Sequence, residues 1–384
     1  LYNNLVPISL YVSLDLIKVT QARIMEADPE MAVRYAKART SSLNEDLGQI
    51  EFIFSDKTGT LTQNVMEFRK CSVGGIAYGF GTTEIGRAAL LRAQTSGGDA
   101  SKVLGEGIPG IVPPSVAMKL SDRDQAQVKV DPKIAFDDPR FLQHLAGRDH
   151  AQRQATALRD FLTLLSVCHT VIPERDSRTG KVAYRASSPD EEALVKAAKC
   201  LGFDLVGPAP RIQVRIGTGG DGEGGGGGGE GAGGGADAVS TFHVVGVNEF
   251  NSTRKRMSVV VRDPETGNGM VYIKGADNVM FDLIDNWGES LPMADSAGMS
   301  PESVLHEHLK VFAGEGLRTL VLAQRSMTPT EVDEWEQKYN AAAAALEDRK
   351  GKLSEVADLA EQGCTLVGAT AIEDKLQDGV PEAI

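Results

Sequence analysis

The strongest constraint that the sequence places on the fold of this chain is a short apolar run followed by a polar heptad. Residues 50 and 52–54 are apolar, and a run of this length predicts a buried strand of an α/β sheet. The polar stretch that follows begins at Asp56. In open parallel sheets, ligands lie beyond the carboxyl ends of the strands, which is where this Asp would stand. A single Asp after a strand is nevertheless more often a turn or helix cap.

The heptad that begins at Asp56 contains residue types suited to phosphate chemistry: one carboxylate, one ammonium, three Thr hydroxyls and one Gly. A carboxylate can attack a phosphoryl group and form an acyl phosphate. Lys57 supplies a fixed positive charge for the spread negative charge of the transferring group. Asp56 can share a magnesium ion with the phosphate, and Gly59 permits a tight turn with close backbone approach.

The sequence Asp-Lys-Thr-Gly-Thr-Leu-Thr at residues 56–62 resembles the phosphorylation motif of the P-type ATPases, whose Asp accepts the γ-phosphoryl group of ATP. The resemblance implies a haloacid-dehalogenase-like phosphorylation domain, present in part, with a parallel sheet. It makes Asp56 the nucleophile, with Lys57 and Thr58 as further catalytic and ATP-contacting residues, and Asp56 and Thr58 as Mg²⁺ ligands. Many phosphohydrolases of the superfamily carry a second Asp, a general acid and base, where this chain has Thr58. A Thr does that work poorly, so hydrolysis of the acyl phosphate should be slow.

Apolar residues dominate the amino-terminal segment as far as residue 17, a run shorter than the ~20 residues that span a bilayer. Its Pro-Ile-Ser-Leu at residues 7–10 resembles the break in the fourth membrane helix of type IV P-type ATPases, the phospholipid flippases. The resemblance implies that residues 1–24 end a transmembrane helix, with an apolar, lipid-facing gate where ion pumps carry an acidic cation ligand. Asp15 and Lys18 favour the alternative of a partly buried amphipathic helix.

Composition restricts the class of protein. The 384 residues are enough for two or more domains, and the formal net charge of −13 argues against a nucleic-acid partner. The tight basic cluster at residues 254–256 is of a kind more often found on a solvated face. Four cysteines without a C-x-x-C pair give neither a disulfide framework nor a zinc signature, consistent with a reducing cytosol. Because the chain begins at Leu1 rather than at Met, we expect an internal fragment of a longer protein.

Two stretches of biased composition are expected to lack a fixed fold. Residues 79–131 have little periodicity. Residues 217–238 contain a stretch, 219–235, that is nearly pure glycine with a few acids, so both regions are predicted to be surface loops or disordered spacers. The glycine stretch is not a phosphate-binding loop because no Lys-Ser or Lys-Thr follows it. The family resemblance divides the remainder into the first part of the phosphorylation domain (25–70), a nucleotide-binding domain (71–366) and the start of the return (367–384).

Hydrophobic periodicity predicts an α+β nucleotide-binding domain on an antiparallel sheet. A hairpin should turn at Gly74-Gly75, and one long external helix should run from Thr328 to about Leu359. The other expected elements are helices at 155–168, after Ser187-Ser188-Pro189 and at 303–313, and strands at 242–247, 257–261, 270–274 and 364–371. The neighbours Cys168 and His169 close the first of these helices. Because adjacent helical residues point about 100° apart, we assign them to core packing rather than to catalysis.

Four residues of this domain match the adenine pocket of flippases and their relatives. Glu191 lies in a Ser-Pro-Asp-Glu segment whose Glu stands beside adenine, and Phe250 precedes a Ser-x-Arg-Lys-x-Met-Ser segment whose Phe stacks on it. Lys274 begins the Lys-Gly-Ala motif, and a flexible ammonium suits a nucleotide phosphate. Arg318 matches a nucleotide-contacting Arg in Gly-Leu-Arg-Thr-Leu. Without the resemblance, the favoured interpretation of Phe250 is a core residue, and the alternative for Arg318 is an unpaired surface residue.

The resemblance implies ATP-driven translocation of phospholipids between membrane leaflets through an aspartyl phosphate at Asp56. The whole protein would be an integral membrane protein with its catalytic domains on the cytosolic side. ATP would be its substrate, Mg²⁺ its cofactor and a small two-span protein its accessory subunit. We expect the fragment alone to bind ATP weakly and not to complete a transport cycle. The alternatives are a cation-transporting P-type ATPase, a soluble phosphohydrolase of the same superfamily and a non-catalytic nucleotide-binding module.

Overall fold

The structure is a computed structural model that describes residues 8–29, 37–83, 85–87, 90, 93, 105, 108–111, 135–147, 152–175, 182–216, 238–288 and 298–380. The chain divides into two compact units, residues 1–60 and residues 61–384.

The first unit contains helix α1 (Ile8–Glu26) and the short helix α2 (Asn44–Leu47). Most of the large apolar side chains of α1 are exposed, among them Leu10 and Leu16. No helix in the described ranges is both long enough and apolar enough to cross a membrane. The assignment of residues 1–24 to a transmembrane helix therefore stays a prediction, and Pro7 lies outside the described residues.

The prediction of a buried strand at residues 50–54 is wrong. These residues form no helix or strand, and Phe54 is 96% exposed. A strand needs a hydrogen-bonded neighbour as well as an apolar sequence, and none of the described strands pairs with this run. The apolar run is therefore an exposed, irregular segment that leads to Asp56.

The strands and α-helices of the second unit whose bounds the structure gives are named here in chain order. They are β1 (Thr62–Val73), β2 (Ile76–Tyr78), α3 (Pro139–Leu145), α4 (Gln152–Val167), β3 (Ile172–Arg175), β4 (Val182–Arg185), α5 (Pro189–Cys200), β5 (Phe203–Gly207), β6 (Arg211–Ile216), β7 (Ala238–Asn248), β8 (Arg256–Arg262), β9 (Gly269–Gly275), α6 (Asp277–Met280), β10 (Ile284–Asn286), α7 (Pro301–Gly314), β11 (Arg318–Met327), α8 (Pro329–Ala343), α9 (Arg349–Ala360) and β12 (Cys364–Leu376).

Ten of these strands form one sheet with the order β2-β1-β12-β11-β9-β8-β7-β6-β5, and β10 pairs with β12 beside it. Every neighbouring pair along the main order is antiparallel, whereas β10 and β12 are parallel. The predicted antiparallel sheet of the inserted domain is confirmed. The parallel sheet predicted for a phosphorylation domain is not found among the described residues.

Side-chain alternation along the central strands builds two hydrophobic layers. In β8, Val259 and Val261 face the layer that contains α4 and α5, whereas Val260 faces the layer that contains α7 and α8. All three side chains are at most 2% exposed. Because successive strand residues point to opposite faces, this continuous apolar run is covered by helices on both sides. A sheet that is covered on both faces is a rigid support, and it can fix the positions of residues at the ends of its strands.

Most of the predicted elements of the second unit are confirmed. The hairpin between β1 and β2 turns at Gly74 and Gly75, whose φ angles are 59° and 78°, a left-handed conformation that favours glycine. The helices expected near residues 155–168, 189–200 and 303–313 correspond to α4, α5 and α7. The cap of α5 is Ser188, which makes no side-chain capping bond.

The single long helix predicted from Thr328 to about Leu359 is wrong, because α8 and α9 are separate helices. Asp348 begins α9 with a φ of 45°, and its side chain accepts a hydrogen bond from the Gly351 amide. The indole Nε1 of Trp335 donates to the Val356 carbonyl at 2.9 Å. Folding back buries Trp335 between the helices and the sheet, which a continuous helix would leave exposed.

The glycine-rich residues 217–237 and most of the stretch 79–131 lie outside the described residues. Within the described part of that stretch, Thr83 donates a hydrogen bond to the Glu315 carbonyl, and the Pro109 carbonyl lies 2.7 Å from Nε2 of His308. The domain boundaries at residues 70–71 and 366–367 fall within β1 and β12, which pair with each other from Thr62 opposite Leu376 onward. Those boundaries stay predictions.

Candidate functional site

Three of the predicted nucleotide-binding residues lie along one end of the antiparallel sheet. Phe250 lies two residues beyond the end of β7, Lys274 is the penultimate residue of β9, and Arg318 is the first residue of β11. In the strand register, Gly275 pairs with Arg256 on one side and with Val321 on the other. Because neighbouring strands run in opposite directions, the last residues of β9 and the first residues of β11 lie at the same end of the sheet.

Glu191, on helix α5, is connected to this end of the sheet by a buried ion pair with Lys274. It lies in the acidic first turn of α5, after Pro189, where the helix dipole favours negative charge. Its Oε1 accepts from Lys274 Nζ at 2.9 Å, and its Oε2 accepts from the amide and hydroxyl of Thr170 at 3.0 and 2.7 Å. Burial acts to raise the pKa of Glu191, but the Lys274 charge and the Thr170 donors outweigh it and leave that pKa lowered.

Arg318 is held by two carboxylates from different elements. Its Nη2 donates to Asp374 Oδ2 on β12 at 2.9 Å, and its Nη1 lies 3.6 Å from Asp190 Oδ1 on α5. Burial raises the pKa of Asp190, an effect that Arg318 opposes and Asp374 reinforces. The Arg318 side chain is still 36% exposed, so part of its guanidinium can donate to a ligand.

Phe250 presents an exposed aromatic ring at the same end of the sheet. The residue is 58% exposed, which decides against the alternative that it belongs to the core. Its loop is fixed by Asn251, whose Oδ1 accepts from the amides of Thr253 and Arg254 at 3.1 and 2.7 Å. An exposed, fixed ring can stack on the π-face of a nucleobase.

Cys168 and His169 are core residues, as predicted. The Cys168 Sγ lies 3.4 Å from the Tyr272 carbonyl, and burial raises the pKa of its thiol to about 12, so it is not a thiolate nucleophile. Nδ1 of His169 accepts from the Val171 amide at 3.1 Å, and Nε2 lies 2.9 Å from the Ser166 carbonyl. This pattern assigns the proton to Nε2 of a neutral ring, which shapes the turn that presents Thr170 to Glu191.

We expect His169 to make the fold sensitive to mild acid. Burial, reinforced by the Lys274 charge, lowers the pKa of His169 from 6.5 to about 4. Between those two values the unfolded chain binds a proton that the folded chain excludes, so stability falls as the pH falls. The free energy of unfolding should lose up to about 3 kcal/mol over this range because of His169. Urea unfolding at pH 7 and pH 4.5 measures the loss, which should shrink in His169→Gln.

The control for this pH dependence is His243→Gln, a change at an exposed histidine on β7. It should leave the difference in stability between the two pH values as it is in the parent chain. An equal loss of stability in the parent chain and in His169→Gln would contradict the assignment.

The segment around Asp56 belongs to the first unit, and Ser55 and Asp56 are exposed. Gly59 has a φ of 79° and Thr58 a ψ of 119°, so the backbone turns after Asp56 in the way that only Gly adopts without strain. No group of three or more His, Cys, Asp or Glu residues suited to a metal is found in the described ranges. The oxygens of Asp56 and Thr58 are nevertheless of the hard type that Mg²⁺ prefers in proteins.

Sequence reasoning missed three residues that hold the site together: Thr170, Asp190 and Asp374. Asp190 adjoins Glu191, and its place in the first turn of α5 was a usable signal. Thr170 and Asp374 gave no local signal, because each contacts a side chain far away in the sequence; Arg318 and Asp374 are 56 residues apart.

Comparison with known proteins identifies the family. The family model for the P-type ATPase cytoplasmic domain N matches residues 157–379. Over the whole chain, the sequence is 41% identical to phospholipid-transporting ATPase 10 of Arabidopsis thaliana and covers 29% of its length. It is 38% identical to phospholipid-transporting ATPases dnf2 of Schizosaccharomyces pombe and DRS2 of Saccharomyces cerevisiae, again over the whole chain, and covers 25% and 24% of their lengths.

The chain thus spans about a quarter of these relatives. Its matched stretch contains the whole of the sheet end that holds Glu191, Phe250, Lys274 and Arg318. A family model that covers more than half of the 384 residues shows that the chain belongs to the P-type ATPases, and the relatives named above are phospholipid-transporting, type IV members of that family.

Proposed function

We propose that this chain supplies the nucleotide-binding and phosphoryl-accepting parts of an ATP-driven phospholipid translocase. The observation that carries the proposal is the sheet end at which the Glu191–Lys274 ion pair, Arg318 and the exposed ring of Phe250 lie together in the matched N domain. The similarity to phospholipid-transporting ATPases over the whole chain supports the choice of cargo.

The proposed nucleotide site divides the work among four side chains. The Phe250 ring stacks on adenine, and Glu191 lies beside the base as a hydrogen-bond acceptor. Lys274 places one ammonium near the nucleotide, while its pairing with Glu191 keeps the charge in position. Arg318, fixed by Asp374, donates from its exposed side. Stacking and charge-assisted hydrogen bonds together would give a preorganised site.

In the proposed phosphoryl transfer, a carboxylate oxygen of Asp56 attacks the γ-phosphorus, and the bond from that phosphorus to the bridging oxygen of ADP breaks. Lys57 stabilises the charge on the equatorial oxygens. Asp56 and Thr58 would hold Mg²⁺, which when bound neutralises phosphate charge. Because position 58 is Thr rather than Asp, the chain lacks a strong acid–base group there, and the acyl phosphate should persist.

The domain assignment follows from the same proposal. Residues 25–70 and 367–384 would belong to a haloacid-dehalogenase-like phosphorylation domain, and residues 71–366 to the nucleotide-binding domain. Residues 1–24 would end a transmembrane helix, with the catalytic domains on the cytosolic side of an integral membrane protein. An accessory subunit with two membrane spans would complete the assembly. The Asp-Lys-Thr-Gly-Thr-Leu-Thr motif at residues 56–62 supports the proposed phosphorylation domain.

The test of the cargo is the ligand that releases the phosphoenzyme. In the full-length protein, reconstituted in vesicles and labelled from [γ-³²P]ATP, we expect phospholipid to accelerate loss of label by about tenfold or more, and Na⁺, K⁺ or Ca²⁺ to have no effect. Acceleration by a cation with no response to any phospholipid head group would replace the proposal by cation transport. Absence of label would support a non-catalytic nucleotide-binding module.

A further inference from the structure

We infer that Glu361, 111 residues beyond Phe250 in the sequence, is a positioning residue that sets the adenine platform. Through two arginines and a serine, its carboxylate fixes the Phe250 loop, defined here as residues 249–255. The inference rests on the proposed role of Phe250 in stacking on adenine. In this inference, the two arginines of the cluster at residues 254–256 hold the Phe250 loop in place. The cluster does not form the solvated face expected from its sequence.

Glu361 directly follows α9 and is fully buried, with 0% exposure. Its Oε1 accepts from Nη2 of Arg254 and, at 2.6 Å, from Oγ of Ser258. Its Oε2 accepts from Nε of Arg256 at 2.5 Å. Each of these donors belongs to the loop or to the first residues of β8. One carboxylate therefore binds the carboxyl-terminal part of the loop and the beginning of the strand that follows it.

The cluster is mostly buried, contrary to the expectation of a solvated face. Arg254 is 8% exposed and the Arg256 side chain 12%, whereas Lys255 between them is exposed. Arg256 also donates to Asp358 Oδ1 at 2.5 Å. Two carboxylates thus face two guanidiniums. Removal of the Glu361 charge would leave Arg254 and Arg256 in a buried place with only the half-exposed Asp358 to balance them.

The Glu361 carboxylate is also connected, through Ser258, to the end of β7, which precedes the loop. Ser258 Oγ, which donates to Glu361, accepts from Nδ2 of Asn248 at 2.9 Å. Asn248 is the last residue of β7 and stands two residues before Phe250. Both ends of the Phe250 loop are therefore connected to Glu361, one directly through Arg254 and the other through Ser258.

The loop also abuts the strand end that carries Lys274. A Cβ on Gly275 would lie 2.6 Å from Arg256 Cβ and 3.0 Å from the Lys255 carbonyl oxygen, which shows how closely the loop packs there. That carbonyl accepts from the Ala276 amide at 3.0 Å. The position of Phe250 relative to Lys274 is thus set by contacts that Glu361 maintains.

The exposure of Phe250 explains why such support is needed. A ring that is 58% exposed has little core packing to fix it, so its orientation depends on the anchors of its loop. A platform held in place before the nucleotide arrives loses less conformational entropy on binding. Loosening the anchors should weaken ATP binding through Phe250 and through no other contact.

The test is a double-mutant cycle on the affinity of the 384-residue chain for ATP, measured by NMR titration. Phe250→Ala should weaken ATP binding by roughly 5- to 150-fold, the range expected for loss of aromatic–base stacking. Glu361→Gln, which keeps the shape and removes the charge, should weaken it by about tenfold in the parent chain and less than about twofold in Phe250→Ala. Glu355→Gln, at an exposed Glu of α9, should leave the affinity unchanged.

The outcomes separate this inference from the proposed function. If Phe250→Ala binds ATP as the parent does, the adenine platform and the role of Glu361 both fail. If Phe250→Ala weakens binding but Glu361→Gln does not, or weakens it equally in both backgrounds, only the positioning role is overturned. Should Glu361→Gln fail to fold by circular dichroism, Arg254→Lys takes its place in the cycle with the same expectations, because it keeps the charge but loses the planar fork of donors.

Discussion

Asp56→Asn in the full-length protein should abolish the acid-stable phosphoenzyme and phospholipid transport while ATP binding persists. A carboxamide has almost the shape of a carboxylate but is a far weaker nucleophile, so the acyl phosphate cannot form at a useful rate. We expect phosphoenzyme formation to fall by at least about 10³-fold, the scale on which loss of a nucleophile acts. The measurement is ³²P incorporated from [γ-³²P]ATP, together with transport of a labelled phospholipid in vesicles.

The matched control is Asp46→Asn, because Asp46 is another exposed aspartate of the first unit. It undergoes the same chemical change and should keep both phosphoenzyme formation and transport near the level of the parent. ATP binding should persist in both variants, since the proposed adenine pocket lies in the second unit. Undiminished phosphoenzyme in Asp56→Asn would remove Asp56 from the mechanism.

The secondary structure of the second unit could be predicted because its local signals agree with its packing. Strands such as β8 are covered on both faces, so the continuous apolar run at residues 259–261 indicates a strand there. The turn at Gly74-Gly75 is set by two residues that adopt positive φ at little cost. In β8 and in the glycine turn, the local residue types that predict the element also agree with the burial or backbone conformation found there.

The apolar run at residues 50–54 shows where such reasoning stops. Its sequence is as strand-like as that of β8, yet the run is exposed and makes no ladder. Strand formation depends on partners for the backbone amides and carbonyls, and a local pattern cannot say whether those partners are present. Similarly, the break between α8 and α9 depends on a packing interaction, the contact of Trp335 with Val356, rather than on a Pro or Gly signal.

The candidate site was predictable by residue type but not by arrangement. Motifs pointed to Glu191 and Lys274 separately, and the two residues are 83 positions apart in the sequence. Neither motif shows that they form a buried ion pair. The bond between Arg254 and Glu361 spans 107 positions, and the local pattern of three basic residues suggested the opposite environment. Long-range pairing of charges follows from the topology of the sheet and helices, which only the structure supplies.

Lys274→Met should destabilise the second unit and weaken ATP binding at the same time. It leaves the Glu191 carboxylate buried with only the two Thr170 donors. Breaking a buried ion pair by removal of one partner costs about 3–5 kcal/mol, and the Thr170 bonds place the expected loss near the lower limit. The free energy of unfolding from urea titration at pH 7 measures the first effect. NMR titration with ATP measures the second, which should be a weakening of about tenfold or more.

Two further variants separate the ion pair from the nucleotide contact. Adding Glu191→Gln to Lys274→Met removes the uncompensated charge and should restore most of the stability, but ATP affinity should stay low because the ammonium is still missing. Lys196→Met, which breaks the exposed Lys196–Glu192 pair on the same helix, should cost no more than about 0.5 kcal/mol. If the double variant regains ATP affinity along with stability, Lys274 supports the fold and does not contact the nucleotide. If Lys274→Met is as stable as the parent, the buried pair does not hold α5 to the sheet.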